Sequence, residues 1–212
     1  MYLFALLLFP CAFVFYASGR AAVVRPRLLI ALAALVLAGL IAVFRGFFLF
    51  RTPYDGACPL FFFLETFCSC ALVPCAAYAL CMLCARDPAE TKIGSFALFM
   101  LPFYAVYLPA EIFAHPVPLP FFLLFAKPVL YVLMVAAVAH ELSRLPACQG
   151  RAFAVALCAM VVAVAAPSLI ETLWYYAFPG AVQGLAIVGF VALVAVRTGL
   201  LSRLTGIASH QK

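Results

Sequence analysis

Seven long apolar runs follow one another along this chain, and short segments that hold most of the charged residues separate them. A helix needs roughly 20 apolar residues to cross the hydrocarbon core of a bilayer, and the runs have about that length. With 69% hydrophobic and 9% charged residues, the 212-residue chain also has too little polar surface to coat a water-soluble globule. The sequence therefore predicts an all-α, polytopic membrane protein in which residues 1–212 form a single domain of about seven transmembrane helices. The predicted spans are residues 1–18, 28–44, 59–85, 93–113, 120–139, 152–170 and 181–196.

The first apolar run begins without a positively charged segment, and its first cations, Arg20, Arg25 and Arg27, come after it. A cleaved signal peptide has the opposite order, with cations ahead of the apolar stretch. We therefore interpret residues 1–18 as a first span whose N-terminus lies outside.

The cations between the runs are distributed very unevenly over the two sides of a seven-span arrangement. Ten lie on one side and two on the other, and the positive-inside rule places the richer side in the cytoplasm. This predicts an outside N-terminus, a cytoplasmic C-terminus and a multi-pass location in the plasma (inner) membrane. The ten are Arg20, Arg25, Arg27, Arg86, Lys92, Arg144, Arg151, Arg197, Arg203 and Lys212, and the two are Arg45 and Arg51.

Two ionisable residues, Glu65 and Lys127, lie inside the outer half of their predicted spans, about 9–10 Å below the outer end. A charge at such a position costs about 2.5–3.5 kcal/mol on insertion scales, so both side chains should face the bundle interior. An ion pair between them is the simplest arrangement. The alternatives are that Lys127 snorkels to the interface and that Glu65 stays protonated or hydrogen-bonded without a functional role.

Three further ionisable residues, Glu111, Glu171 and Arg45, lie near the outer ends of their spans. We expect Glu65, Lys127, Glu111, Glu171 and Arg45 to line one substrate-binding pocket that opens to the extracytoplasmic side. Simple solvation at the membrane interface is the alternative for the last three residues.

Prolines inside the predicted spans provide a second signal, because each removes a backbone hydrogen bond and usually kinks its helix. Kinked or broken helices expose backbone carbonyls to the cavities of transporters, although proline is common in membrane helices generally. The prolines are Pro10, Pro74, Pro102, Pro109, Pro128 and Pro167.

Cysteine and histidine suggest no further chemistry. All nine cysteines except Cys58 and Cys148 fall inside apolar runs, where cysteine behaves as a small hydrophobic residue, so we predict no disulfides. The three histidines are too far apart to suggest a metal site, and no nucleophile or phosphate-loop motif indicates an enzyme. We expect no cofactor and no metal, and the scattered cations argue against nucleic acid as a partner.

The leading functional interpretation is solute recognition or transport, since carboxylates in such a pocket suit a cationic or hydroxylated solute or proton coupling. One alternative is a non-catalytic membrane subunit or assembly factor whose charges bridge to a partner's helix. A seven-span sensor module is the second alternative. The expected partners are the lipid bilayer and, depending on the interpretation, a small solute or another membrane protein.

Overall fold

A computed structural model describes residues 2–18, 24–48, 58–84, 95–114 and 122–198 of the chain, and these residues form seven helices. Helices α3 and α5 each contain a five-residue π-helical turn, and α5 ends in a 3-10 turn. The helices are α1 (Tyr2–Ser18), α2 (Val24–Phe48), α3 (Pro59–Phe67, π turn Cys68–Leu72, Val73–Cys84), α4 (Phe96–Ala114), α5 (π turn Phe122–Ala126, Lys127–Arg144, 3-10 turn Leu145–Ala147), α6 (Arg151–Tyr175) and α7 (Gly180–Arg197).

Each of the seven apolar runs coincides with one of these helices, which confirms the all-helical prediction for the described residues. Four helices, α3, α5, α6 and α7, are long and apolar enough to cross a bilayer, with mean hydropathies from 1.5 to 2.5. The other three carry shorter apolar segments, Leu6–Ala17, Leu28–Phe44 and Phe96–Glu111. The helices therefore support a membrane location.

Three helices extend four or more residues beyond their predicted ends, and α2 does so at both ends, since it runs from Val24 to Phe48. The sequence indicated a charged loop from His140, but α5 continues to Arg144, and α6 continues past the predicted end at residue 170 to Tyr175. The predicted ends of α5 and α6 each left a glutamate just beyond the span, yet Glu141 and Glu171 are buried. Each has a cation partner on a neighbouring helix, and that partner allows the helix to continue.

Some sequence predictions fall on residues outside the described ranges. The polar loops that the sequence predicts at residues 86–92 and 115–118 belong to this group, and so does the loop predicted at residues 51–58 apart from Cys58. The side chains of Arg25, Arg27 and Arg45 are also outside the described part, although their backbones lie in α2.

Helices α4 and α5 form the centre of the bundle. Helix α4 packs against α1, α2, α3 and α5, whereas α5 also contacts α1, α6 and α7. Buried Ala31, Ala34 and Ala38 line the face of α2 that packs in the core, and such small residues let helix backbones approach closely. A buried aromatic column along α4 completes the core: Phe99, Phe103, Tyr104 and Tyr107.

The contacts define two ends of the bundle. At the first, which we call the Lys127 end, the end of α4 meets the start of α5 and the end of α6 through Lys127, and Phe62 near the start of α3 stacks on Tyr175 at the end of α6. At the opposite end, the Arg197 end, Glu141 near the end of α5 pairs with Arg197 at the end of α7. Each end holds one buried charge site.

Candidate functional site

A buried lysine lies at the centre of the Lys127 end. Its Nζ donates to Glu171 Oε1 at 2.8 Å and lies 2.9 Å from Glu111 Oε2. The three side chains come from α5, α6 and α4, and none is more than 10% exposed. We call Glu111, Lys127 and Glu171 the carboxylate–lysine cluster.

The cluster contains two carboxylates for one ammonium group. With all three groups ionised, it carries a net charge of −1 in a site that is almost closed to water. An uncompensated buried charge is costly, so binding of one proton or one cationic group would neutralise the excess. The arrangement therefore has the charge balance of a site that accepts a positive species.

The two π-helical turns border this cluster, and each ends two residues before a proline. The turn Cys68–Leu72 precedes Pro74, and the turn Phe122–Ala126 precedes Pro128. Proline at position i removes the α-helical bond to the carbonyl of residue i−4 and its ring clashes with that carbonyl. In a π turn each N–H bonds to the carbonyl five residues earlier instead of four, and this wider turn relieves the clash. The kinks predicted at these two prolines therefore take the form of π turns.

The π turn in α3 leaves two backbone carbonyls without their α-helical donors, and side chains of α4 donate to both. Val73 N–H donates to Cys68 O, and Pro74 has no N–H, so the carbonyls of Ser69 and Cys70 lose the donors that they would have in an α-helix. Tyr104 Oη donates to Cys70 O at 2.6 Å, and Tyr107 Oη donates to Ser69 O at 2.8 Å. Two tyrosines of α4 thus hold the π turn in place.

The same turn brings a thiol to the cluster. Cys70 is fully buried, and its Sγ donates towards the Glu111 carboxylate, with Sγ–O distances of 3.7 and 3.9 Å. Sequence analysis assigned Cys70 a packing role only. The signal that could have identified it was its position four residues before Pro74, where a distorted helix turn is expected.

Two hydroxyl groups extend the polar surface beside the cluster. Tyr131 follows Lys127 by one helical turn on α5, and Ser168 precedes Glu171 by one turn on α6, so they share the faces of those residues. Both are fully buried and lie close to each other, and neither Tyr131 Oη nor Ser168 Oγ makes a hydrogen bond of good geometry within the described part of the chain. Buried hydroxyls normally have partners, so these two are available to bind a polar ligand or water.

Aromatic stacking lies between the cluster and the helix ends. Phe122, five residues before Lys127, stacks on Trp174, three residues after Glu171, with ring centroids 5.4 Å apart. Phe62 of α3 stacks on Tyr175 at 4.4 Å, and Phe4 of α1 stacks on Phe125 at 5.1 Å. These stacks join α1, α3, α5 and α6 at the end of the bundle.

The structure brings together three of the five predicted site residues, Lys127, Glu111 and Glu171. The predicted pairing of Lys127 with Glu65 was wrong, because Lys127 pairs with the other two carboxylates. Glu65 is only half-buried, since the buried stripe of α3 runs through Thr66 and Cys70 and Glu65 lies about 100° to its side. The side chain of the fifth residue, Arg45, is outside the described part.

A third buried carboxylate, that of Glu141, lies at the Arg197 end. Arg197 donates to it through two bonds, from Nε to Oε1 at 2.5 Å and from Nη2 to Oε2 at 2.8 Å. The buried charges of both ends are thus paired within this chain. Comparisons of the chain with models of protein families, with curated proteins and with solved structures give no match.

Proposed function

We propose that this chain is a seven-span plasma-membrane protein that binds and transports a small cationic or hydroxylated solute through the carboxylate–lysine cluster. The observation that carries the proposal is Lys127 held between Glu111 and Glu171 inside an apolar bundle. The excess of cations on one side of the spans, ten against two, supports an outside N-terminus and a cytoplasmic C-terminus. In that orientation the Lys127 end faces outwards.

The charge balance of the cluster supports a positive substrate group or a coupled proton. Ionisable residues inside membrane bundles are costly, and they are typical of substrate and ion pathways. A cationic group that enters the cluster competes with Lys127 for one carboxylate, while the second carboxylate keeps the lysine ion pair. The hydroxyls of Tyr131 and Ser168 then provide hydrogen bonds for hydroxyl groups of the solute.

Access requires the Lys127 end to open, and the helix distortions provide the place for that movement. The π turn of α3 lies beside the cluster, so the outer segment Pro59–Phe67 can tilt there without breaking further backbone bonds, and the π turn of α5 forms the described start of that helix. The stacks of Phe122 on Trp174 and of Phe62 on Tyr175 hold the closed arrangement. We propose that separation of these ring pairs opens the pocket to the outside.

The interpretation as a non-catalytic subunit requires charges that bridge to another protein. Lys127 and Glu141 instead have their ion-pair partners on helices of the same chain. Because these ion pairs are complete within the chain, they favour a binding site formed by this chain alone over a surface that docks another protein.

The test is uptake by the purified full chain in proteoliposomes, with a panel of radiolabelled polyamines, amino sugars and polyols and an imposed pH gradient. We expect uptake of one class, and we expect Glu171→Gln to abolish it. Glu141→Gln is the matched control, because it changes the same chemistry about 21 Å away along α5. Uptake that survives both Glu171→Gln and Glu111→Gln would overturn the proposal. Absence of uptake together with loss of a larger complex in Glu171→Gln membranes would favour the subunit interpretation instead.

A further inference from the structure

A cavity of about 260 Å³ lies at the Arg197 end, between the ends of α5 and α7 and the start of α6. Three arginines and one glutamate line it: Arg144, Arg151, Arg197 and Glu141. With all four groups ionised, the lining carries a net charge of +2. This is the reverse of the charge balance in the carboxylate–lysine cluster.

Among the described residues, only one of the three arginines has its charge balanced by a carboxylate. Both Glu141 oxygens accept from Arg197, which fixes that guanidinium in the cavity wall. Arg144 and Arg151 are exposed, and neither pairs with a carboxylate within the described part of the chain. The cavity therefore has two cationic groups that an anion can reach.

We propose that this cavity binds a phosphate group. Guanidinium groups match the oxygens of phosphate with two parallel hydrogen bonds, and Arg144 and Arg151 lie on two sides of one small space. Arg151 is also the first residue of α6, so the positive end of that helix dipole points into the same region. The volume lies just below the roughly 300–1,000 Å³ of pockets that enclose whole drug-sized ligands, which suits a headgroup-sized anion.

Two sources supply such a group, the headgroup of an anionic phospholipid and free phosphate. The cavity lies at the end of the bundle, where three spanning helices begin or end, so a lipid headgroup in the adjacent leaflet reaches it directly. Basic pockets between membrane helices on the cytoplasmic side recognise anionic headgroups in this way. A bound phosphate would hold the ends of α5, α6 and α7 together.

The experiment titrates the detergent-purified full chain with dioctanoyl-phosphatidylglycerol, with dioctanoyl-phosphatidylcholine and with inorganic phosphate, and follows the thermal unfolding midpoint. We expect the anionic lipid to raise the midpoint and the zwitterionic lipid to have a much smaller effect. A comparable rise with inorganic phosphate identifies the free anion as the source, whereas a rise with the lipid alone identifies the headgroup.

Variants then locate the binding site. We expect the Arg144→Gln/Arg151→Gln double variant to weaken binding of the effective anion by about fivefold for each arginine removed. Arg25→Gln/Arg27→Gln is the matched control, because it removes two cations from α2, which contributes no described residue to the cavity. Arg144→Lys/Arg151→Lys keeps the charge and should bind with intermediate affinity, which separates phosphate recognition from a folding defect.

Two results would overturn the proposal. The first is an unchanged midpoint of the wild-type chain with both anions. The second is an equal loss of binding in the cavity variant and the α2 control, because that would reduce the effect to general surface charge.

Discussion

Helix α5 carries two buried charge sites that are built in opposite ways. Lys127 and Glu141 lie about 21 Å apart along the helix, one near each end of the bundle. At the first site a cation, 2% exposed, is surrounded by two buried carboxylates. At the second a carboxylate, 1% exposed, binds a single arginine whose side chain is 25% exposed.

The difference shows that the stability cost of removing one charge depends on whether the group left behind can reach water. A group that loses its partner inside a closed site keeps its full desolvation cost, whereas a group with access to water recovers hydration. Every member of the carboxylate–lysine cluster belongs to the first kind. At the Arg197 end only Glu141 does, because Arg197 reaches water.

The largest expected effect is that of Lys127→Met, which leaves two buried carboxylates side by side without a cation. We expect a loss of about 3–5 kcal/mol in stability, because removing the lysine leaves buried charges on Glu111 and Glu171 without a cation. The measurement is the midpoint of thermal unfolding in detergent, followed by size-exclusion chromatography. The triple variant Lys127→Met/Glu111→Gln/Glu171→Gln should recover most of the loss, and a triple variant as unstable as the single one would contradict the electrostatic explanation.

The second prediction concerns the asymmetry of the Arg197 end. Arg197→Gln leaves the fully buried Glu141 carboxylate without its cation and should lower the stability by about 3 kcal/mol. Glu141→Gln leaves an arginine that water can reach and should lower the stability by about 1 kcal/mol. Thermal midpoints of the two single variants test the order directly. Equal losses would mean that the exposed fraction of Arg197 does not decide the cost.

The positions of the helices could be predicted from the sequence, because a run of about 20 apolar residues has one stable arrangement in a bilayer. The buried state of Lys127 followed in the same way from the cost of a charge inside a span. The carboxylates that pair with Lys127 could not be predicted in this way. Depth along a helix can be counted from the sequence, but the direction in which Glu65 faces depends on how α3 packs against its neighbours.

The helix ends and the π turns show the same limit. Glu141 and Glu171 resemble the edge of a solvated loop until their cation partners on other helices are known. Pro74 predicts a distorted turn, but the form of that turn depends on Tyr104 and Tyr107, which lie at least 30 residues away and donate to the carbonyls that the proline frees. Partners that are distant in sequence therefore decided each feature that the sequence analysis missed.

The third prediction separates stability from function at the Lys127 end. Glu111→Gln or Glu171→Gln removes one of two carboxylates, and the remaining one still pairs with Lys127. We expect a cost of only about 1–2 kcal/mol, because the loss of one charged hydrogen bond is partly offset by removal of the excess negative charge. Solute uptake, in contrast, should be lost. A stability loss as large as that of Lys127→Met would show that both carboxylates are structural.

The smallest expected effects distinguish two buried tyrosines whose rings lie 5.0 Å apart. Tyr104→Phe removes the hydrogen bond to Cys70 O and should cost about 0.5–1.5 kcal/mol, because a buried carbonyl of the π turn loses this donor. Tyr131→Phe removes a hydroxyl whose contact with the Ser168 hydroxyl falls short of a good hydrogen-bond geometry, so stability should stay the same or rise slightly. Thermal midpoints without solute test both values. If Tyr131→Phe leaves the midpoint unchanged and also lowers the apparent affinity for the transported solute, its hydroxyl faces the binding site, whereas an unchanged affinity would remove Tyr131 from that site.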